Sequence, residues 1–265
     1  VTNALDELRA DLVAEQDALD AVVATIDEDS WHTSTPSPGW TVADQIGHLA
    51  FFDRSATLSI VDEDHFQEEL HALIESAAGE GVDGFTLRAY RTMSGSELLH
   101  AWRHNRTLLN EAASTLTESS RLPWYGPSMG AKSFLTARLM ETWAHGTDVV
   151  DALSATRPAT DRLRHIAQLG VLTRGWSYRV RGEDAPEGEI RVELIGPTGD
   201  SWSWGPNDAD EWVRGSAEDF CLVVTQRRHV DDTTLTYSEL GRDWLLRAQA
   251  FAGGPSIGPP AKGIA

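Results

Sequence analysis

Cysteine is nearly absent from this chain: Cys221 is the one thiol in 265 residues. A single cysteine excludes an internal disulfide framework and any paired-cysteine motif. Long apolar runs are missing too, and none approaches the ~18 residues that a membrane-crossing helix needs. Residues 1–20 are acidic and amphipathic, without the basic start and apolar centre of a secretion signal. These absences predict a cytoplasmic protein with no membrane partner. Basic residues are scarce, with 22 Lys and Arg against 41 Asp and Glu and a formal net charge of −19. Such a surface repels phosphate backbones, and no basic cluster offsets it, so nucleic acid is not an expected partner. The chain also lacks a phosphate loop, a Gly-x-Gly-x-x-Gly turn after a strand and a Gly-x-Ser-x-Gly elbow. Their absence argues against nucleotide-cofactor enzymes and serine hydrolases.

What is present is enough apolar surface for a large core, 41% hydrophobic with ten Trp. Through the first 155 residues its period is helical. Leu5, Leu8, Leu12, Leu19, Val23 and Ile26 predict an amphipathic helix over 2–26 with an acidic, solvated outer face. A loop over 27–39 follows, broken by Pro36, Pro38 and Gly39, with Trp31 and Trp40 bracketing it. Thr41 is an N-cap with Asp44 at the third helical position, predicting a helix to about residue 62. A second helical stretch covers 63–78, a glycine-rich turn 79–84, and a short helix or irregular segment 85–91. A helix from Ser94 or Ser96 to about residue 117 precedes a Pro- and Gly-rich loop over 118–130 and a helix over 131–153. These helices compose a four-helix bundle.

Past residues 154–158 the pattern changes. One helix is expected over 161–181. Ile190, Val192 and Leu194 alternate with polar residues as in a strand, with a hairpin partner over 201–204 and a third strand at 211–214. Ser216, with Asp219 three residues on, opens a helix to about residue 228, and a last helix runs from Ser238 or Leu240 to 251. The predicted fold is a four-helix bundle over 1–155 followed by a smaller α+β domain over 156–265.

Glu141 and His145 lie four apart on the 131–153 helix, one turn above each other on one face. A carboxylate and an imidazole so placed are two ligands for a divalent metal, or an ordinary surface or core pair. His48, on a different helix, borders an apolar face and completes a two-histidine, one-carboxylate set. Such a set leaves coordination positions open, as catalytic sites do. Asp148 continues the same stripe, either orienting a ligand histidine from outside or extending a polar seam. His100 and His104 have equal spacing, but the polar neighbours Arg103, Asn105, Arg106 and Asn110 point to a solvated face. Cys221, between Phe220 and Leu222, reads as a small buried hydrophobe.

The run Pro38-Gly39-Trp40-Thr41-Val42-Ala43-Asp44-Gln45-Ile46-Gly47-His48-Leu49 resembles the second helix of the DinB-like metal-binding bundles. It looks most like the actinobacterial branch that contains the mycothiol-dependent maleylpyruvate isomerases. The resemblance implies a metal ligand at His48 and two more, Glu-x-x-x-His, at Glu141 and His145. Residues 213–220 are similar to a segment of that family's smaller domain. Its catalytic arginine has no unique counterpart among Arg214, Arg227 and Arg228. The implied activity is that of a metal- and thiol-dependent isomerase or transferase. A divalent ion, zinc being the expected one, would activate a low-molecular-weight thiol such as mycothiol as metal-bound thiolate. The thiolate would attack a small electrophilic substrate, ending in isomerisation or S-transfer. The implied partners are that substrate and that thiol, in a monomer or homodimer. The alternative is a non-catalytic protein of the same fold that binds or senses a metal or small ligand.

Overall fold

Asn3 accepts a hydrogen bond from the Leu5 amide and so caps helix α1, Ala4–Val23. This computed structural model describes residues 3–77, 79 and 81–263, and it divides into two units, Val1–Arg157 and Pro158–Ala265. In the first unit the long helices after α1 are α2 (Val42–Val61), α3 (Glu63–Ala77), α5 (Gly95–Ala113) and α6 (Ala131–Leu153), with the short α4 (Gly81–Thr86) between α3 and α5. Two-residue strands β1 (Arg121–Leu122) and β2 (Met129–Gly130) pair antiparallel and bring the chain to the start of α6.

Helices α1, α6, α2 and α5 form the bundle, each packed on the next in that order. Their inward stripes are the apolar positions that recur every three or four residues, among them Leu19, Val23, Ile46, Leu49, Leu98, Trp102 and Val149. Helix α2 runs antiparallel to α5 and α6, as two pairs of contacts require. Trp102 Nε1 donates to Asp53 and Asn105 Nδ2 to the Ala50 carbonyl, while His48 and Asp53 face Glu141 and Arg138 respectively.

One polar group sits in the middle of this core. The Asp53 side chain on α2 is fully buried, and its carboxylate receives four N–H bonds. Arg138 of α6 supplies two, from Nη2 at 2.9 Å and Nε at 3.3 Å. Gln16 of α1 and Trp102 of α5 supply one each, both at 3.2 Å. Burial pushes the Asp53 carboxyl above its ordinary range, and the Arg138 guanidinium pulls against it. At the periphery of the same helices Asp20 accepts from Arg103 and Arg106 of α5.

The second unit has helices α7 (Leu163–Leu172), α8 (Arg174–Arg179), α9 (Ala217–Val224) and α10 (Glu239–Leu245). Its strands are β3 (Ile190–Ile195), β4 (Ser201–Trp204), β5 (Glu211–Ser216) and β6 (Thr236–Tyr237), in the sheet order β4-β3-β5-β6. Strand β3 pairs antiparallel with β4, its hairpin partner, and parallel with β5, while β6 closes antiparallel on β5. Val192, Leu194, Val213, Phe220 and Trp244 are buried in this unit's core. Cys221 is buried with them, and burial pushes its thiol well up. Among the described residues no helix is long and apolar enough to cross a membrane.

The fold is the expected helical bundle followed by a small sheet domain, and the differences are local. The single helix expected over 161–181 is two helices, because the chain turns at Thr173, whose hydroxyl bonds the Leu169 and Gly170 carbonyls. The last helix stops at Leu245 rather than 251, and the chain beyond it crosses to α9, where the Ala250 amide meets the Val224 carbonyl. Helix α5 ends at Ala113 rather than near 117, with Ser114 closing the turn. The glycine-rich 79–84 turn instead opens α4 at Gly81, a residue at φ +75°. Thr2, Ala78 and Glu80, which fall in the expected first helix, second helical stretch and turn, lie outside the described residues.

Replacing Arg138 with Met should lower the bundle's stability by about 3–5 kcal/mol, because it leaves a buried carboxylate without its counterion. The double variant Asp53→Leu/Arg138→Met should lose less, and urea unfolding followed by tryptophan fluorescence distinguishes the two. The Asp20 carboxyl is held below its ordinary range, chiefly by the Arg103 hydrogen bond and against the effect of burial. Its stabilisation is therefore complete above the unfolded value of ~3.9 and fades as pH falls through the lower folded value. Asp20→Asn should flatten the acid limb of a stability–pH curve in that window.

Candidate metal centre

The loop before α2 and the first turns of α2 build one wall of the site. Residues 33–42 close on themselves through backbone pairs: Val42 N to Thr33 O at 3.0 Å and Thr35 N to Trp40 O at 2.8 Å. Gly39 takes φ +78° at the turn. Thr41 then caps α2 in a reciprocal box: its hydroxyl accepts from the Asp44 amide, and the Asp44 carboxylate accepts from the Thr41 amide at 3.0 Å. Arg91 Nε donates to the other Asp44 oxygen at 2.7 Å. This start places Gln45 and His48 one turn apart on the face turned toward α6.

Helix α6 supplies the other wall. His48, Glu141 and His145 each direct one donor atom to a common point, and these atoms lie within 4.8 Å of one another. Glu141 Oε2 is 3.0 Å from His145 Nε2 and 3.7 Å from His48 Nε2. The Glu141 carboxyl is pushed up by burial, yet the hydrogen bonds and charges of His145 and His48 outweigh this and hold it well below the ordinary carboxylate range. The three side chains are 18%, 24% and 11% exposed in the order His48, Glu141, His145, so one side of the cluster is open.

Aromatic rings surround the imidazoles. Trp40 stacks on His145 with ring centres 5.7 Å apart and planes 16° apart, and lies 5.2 Å from His48. Phe52, one turn after His48, packs on it at 4.5 Å. The Trp40 indole N–H is tied to Asp83 at 2.8 Å.

Behind His145 lies a buried polar chain. Gln45 Oε1 is 2.5 Å from His145 Nδ1, and Gln45 Nε2 donates to Thr35 Oγ1 at 2.9 Å and Asp148 Oδ2 at 3.4 Å. Ser37 donates to the same Asp148 oxygen at 3.0 Å. Asp148 thus stands against Gln45, and Gln45 contacts the His145 ring. Sequence reading did not single out Gln45. The available signal was its position three residues before His48 on the same helical face. Gly146, beside His145, has no side chain because Arg157 crosses there. An added Cβ would lie 2.4 Å from the Arg157 Nη1, which holds Glu15.

Among the other sequence candidates, His100 and His104 are exposed on α5. The arginine candidates have partners of their own. Arg214 on β5 donates to Glu193 at 2.6 Å and stacks on Trp212, while Arg227 and Arg228 follow α9 and bond the carbonyls of Thr225 and Arg227. A groove of about 1160 Å³ in the second unit, with Glu183, Asp208, Glu211 and Asp243 on its walls, includes none of the three clustered residues.

The first unit is a four-helix bundle that carries a two-histidine, one-carboxylate cluster between its second and last helices. Residues 12–150 match the model of the mycothiol maleylpyruvate isomerase N-terminal domain, and the chain belongs to that family. Residues 186–237 match the model named wyosine base formation. An uncharacterised protein of Mycobacterium tuberculosis, found in two strains, is 50% identical over 252 residues, which is 94% of this chain and 96% of the relative. Two crystal structures of mycothiol-dependent maleylpyruvate isomerase, one a histidine-to-alanine mutant, have a similar fold. The mutant superposes with a TM-score of 0.61 at 16% identity and the other with 0.57 at 17%, each over 96% of this chain and 97% of theirs.

Removing the cap with Thr41→Ala should cost about 1 kcal/mol of stability, measured by urea unfolding.

Proposed function

We propose that His48, Glu141 and His145 hold a divalent metal ion and that the protein is a metal- and thiol-dependent enzyme. Its thiol is of the mycothiol type, and its substrate is a small electrophile that is isomerised or receives the thiol. One observation carries this reading: two imidazole nitrogens and a carboxylate oxygen from two helices converge within 4.8 Å of each other on a partly open face. The donor set fits the group. Nitrogen and oxygen donors in this number suit zinc and leave coordination positions for an incoming molecule. Glu141 adds a negatively charged oxygen to the two imidazole nitrogens, a set that a divalent cation favours.

When bound, the cation supplies Lewis acidity that lowers the pKa of a thiol reaching it. The chain's own residues do the rest. Glu141 contributes negative charge that balances the ion. Trp40 and Phe52 flank the histidines with apolar surface, which keeps water from the ring faces and strengthens the local electrostatics. The family membership and the names of the similar crystal structures support mycothiol as the thiol and isomerisation as the reaction class. A cytoplasmic location belongs to the same reading, since such thiols work in reducing compartments.

Protein purified from metal-replete medium should contain about one equivalent of zinc by elemental analysis. His48→Ala should bind it far more weakly, beyond the ~10–100-fold typical of losing an outer partner of a ligand. Native protein without metal under these conditions would refute the proposal. After cobalt exchange, titrated mycothiol should shift the visible spectrum of the native protein. An unchanged spectrum, with no turnover of maleylpyruvate, would leave a metal-binding protein without thiol chemistry.

A further inference from the structure

The His145 imidazole has two nitrogens, and only Nε2 faces Glu141 and His48. Whether that nitrogen has a lone pair to offer depends on what holds the other. We infer that Gln45 is a positioning residue for the metal centre: its side-chain carbonyl fixes the proton of His145 on Nδ1, so that Nε2 is the donor nitrogen. This deepens the reading above and rests on it.

The orientation of the Gln45 amide follows from its surroundings. Thr35 Oγ1 spends its own proton on the Trp40 carbonyl at 3.0 Å, so toward Gln45 it can only accept. Asp148 Oδ2, which already accepts from Ser37, is likewise an acceptor. Two acceptors on one side of the amide require the NH₂ group there, and the carbonyl oxygen must then face His145. A carbonyl only accepts, so Nδ1 must donate. The contact is 2.5 Å, and Gln45 is fully buried, so no water competes for its amide. The chain Ser37 and Thr35 to Asp148 and Gln45, and from Gln45 to His145, connects the 33–42 loop to a ligand on α6. An outer partner of this kind both orients the ring and makes the ligand nitrogen more basic.

The test uses the protein loaded with zinc or cobalt. In the native zinc form, long-range proton–nitrogen correlation spectra should place the His145 proton on Nδ1. Q45M, which keeps the volume but has no acceptor, should bind zinc ~10–100-fold more weakly and alter the cobalt visible spectrum. The double variant Q45E/D148N keeps an acceptor on His145 and turns its neighbour into a donor, and it should recover affinity to within a few-fold of native. A Q45M protein with native affinity and an unchanged cobalt spectrum would overturn the inference while leaving metal binding intact. So would a His145 whose Nδ1 carries no proton in the native zinc form, a measurement that decides the matter alone if Q45M does not fold. Absence of metal uptake by native protein would remove this inference together with the reading it rests on.

Discussion

The bundle depends on one buried carboxylate. Asp53 draws a hydrogen-bond donor from each of the other three bundle helices: Gln16 from α1, Trp102 from α5 and Arg138 from α6. Apolar packing alone is tolerant of sliding, because one leucine serves nearly as well as the next. A charged group in a dry core is not tolerant, since any slip leaves it without partners at a cost of several kcal/mol. The network therefore acts as an index mark that sets where each helix stands along the bundle axis.

That index governs the candidate metal centre. His48 precedes Asp53 by five residues on α2, and the midpoint of Glu141 and His145 follows Arg138 by five residues on the antiparallel α6. At 1.5 Å per residue both lie about 7.5 Å from the buried ion pair in the same direction. The three donor groups meet because the two offsets are equal. A slip of one residue would move the groups by about 1.5 Å along the axis, roughly half of the 3.0–3.7 Å contacts between them, and turn them about 100° around it. The ion pair and the site are parts of one arrangement, although Asp53 and Arg138 touch none of the donor atoms named above.

Much of this was readable in the chain. The capped start of α2 follows from Thr41 and Asp44, and the structure has the reciprocal box and the end at Val61. The Glu141/His145 spacing gives a face, and the family pattern pairs it with His48. Parts that depend on tertiary partners were not readable. Asp53 looks like any polar residue on a helix until Arg138, 85 residues away, is placed beside it. Gln45 is equally ordinary in sequence, and its role emerges only from which atoms around it can accept. The broken helix at Thr173 was hidden because the apolar period continues across it, and a side-chain hydroxyl decides the turn. Helix ends such as those at Ala113 and Leu245 are set by local closure and not by hydrophobic pattern.

The small closed loop at residues 33–42 has a consequence of its own. It is held by its backbone pairs, by Gly39 at the turn and by Ser37 reaching Asp148, while Trp40 projects over the imidazoles. The loop-closing bonds at position 40 run through the Trp40 backbone, whereas the surface over the imidazoles is its side chain, anchored in turn to Asp83. A redesign could recontour the entrance at position 40, admitting bulkier or more polar molecules, while the helices and their three donor groups stay where they are.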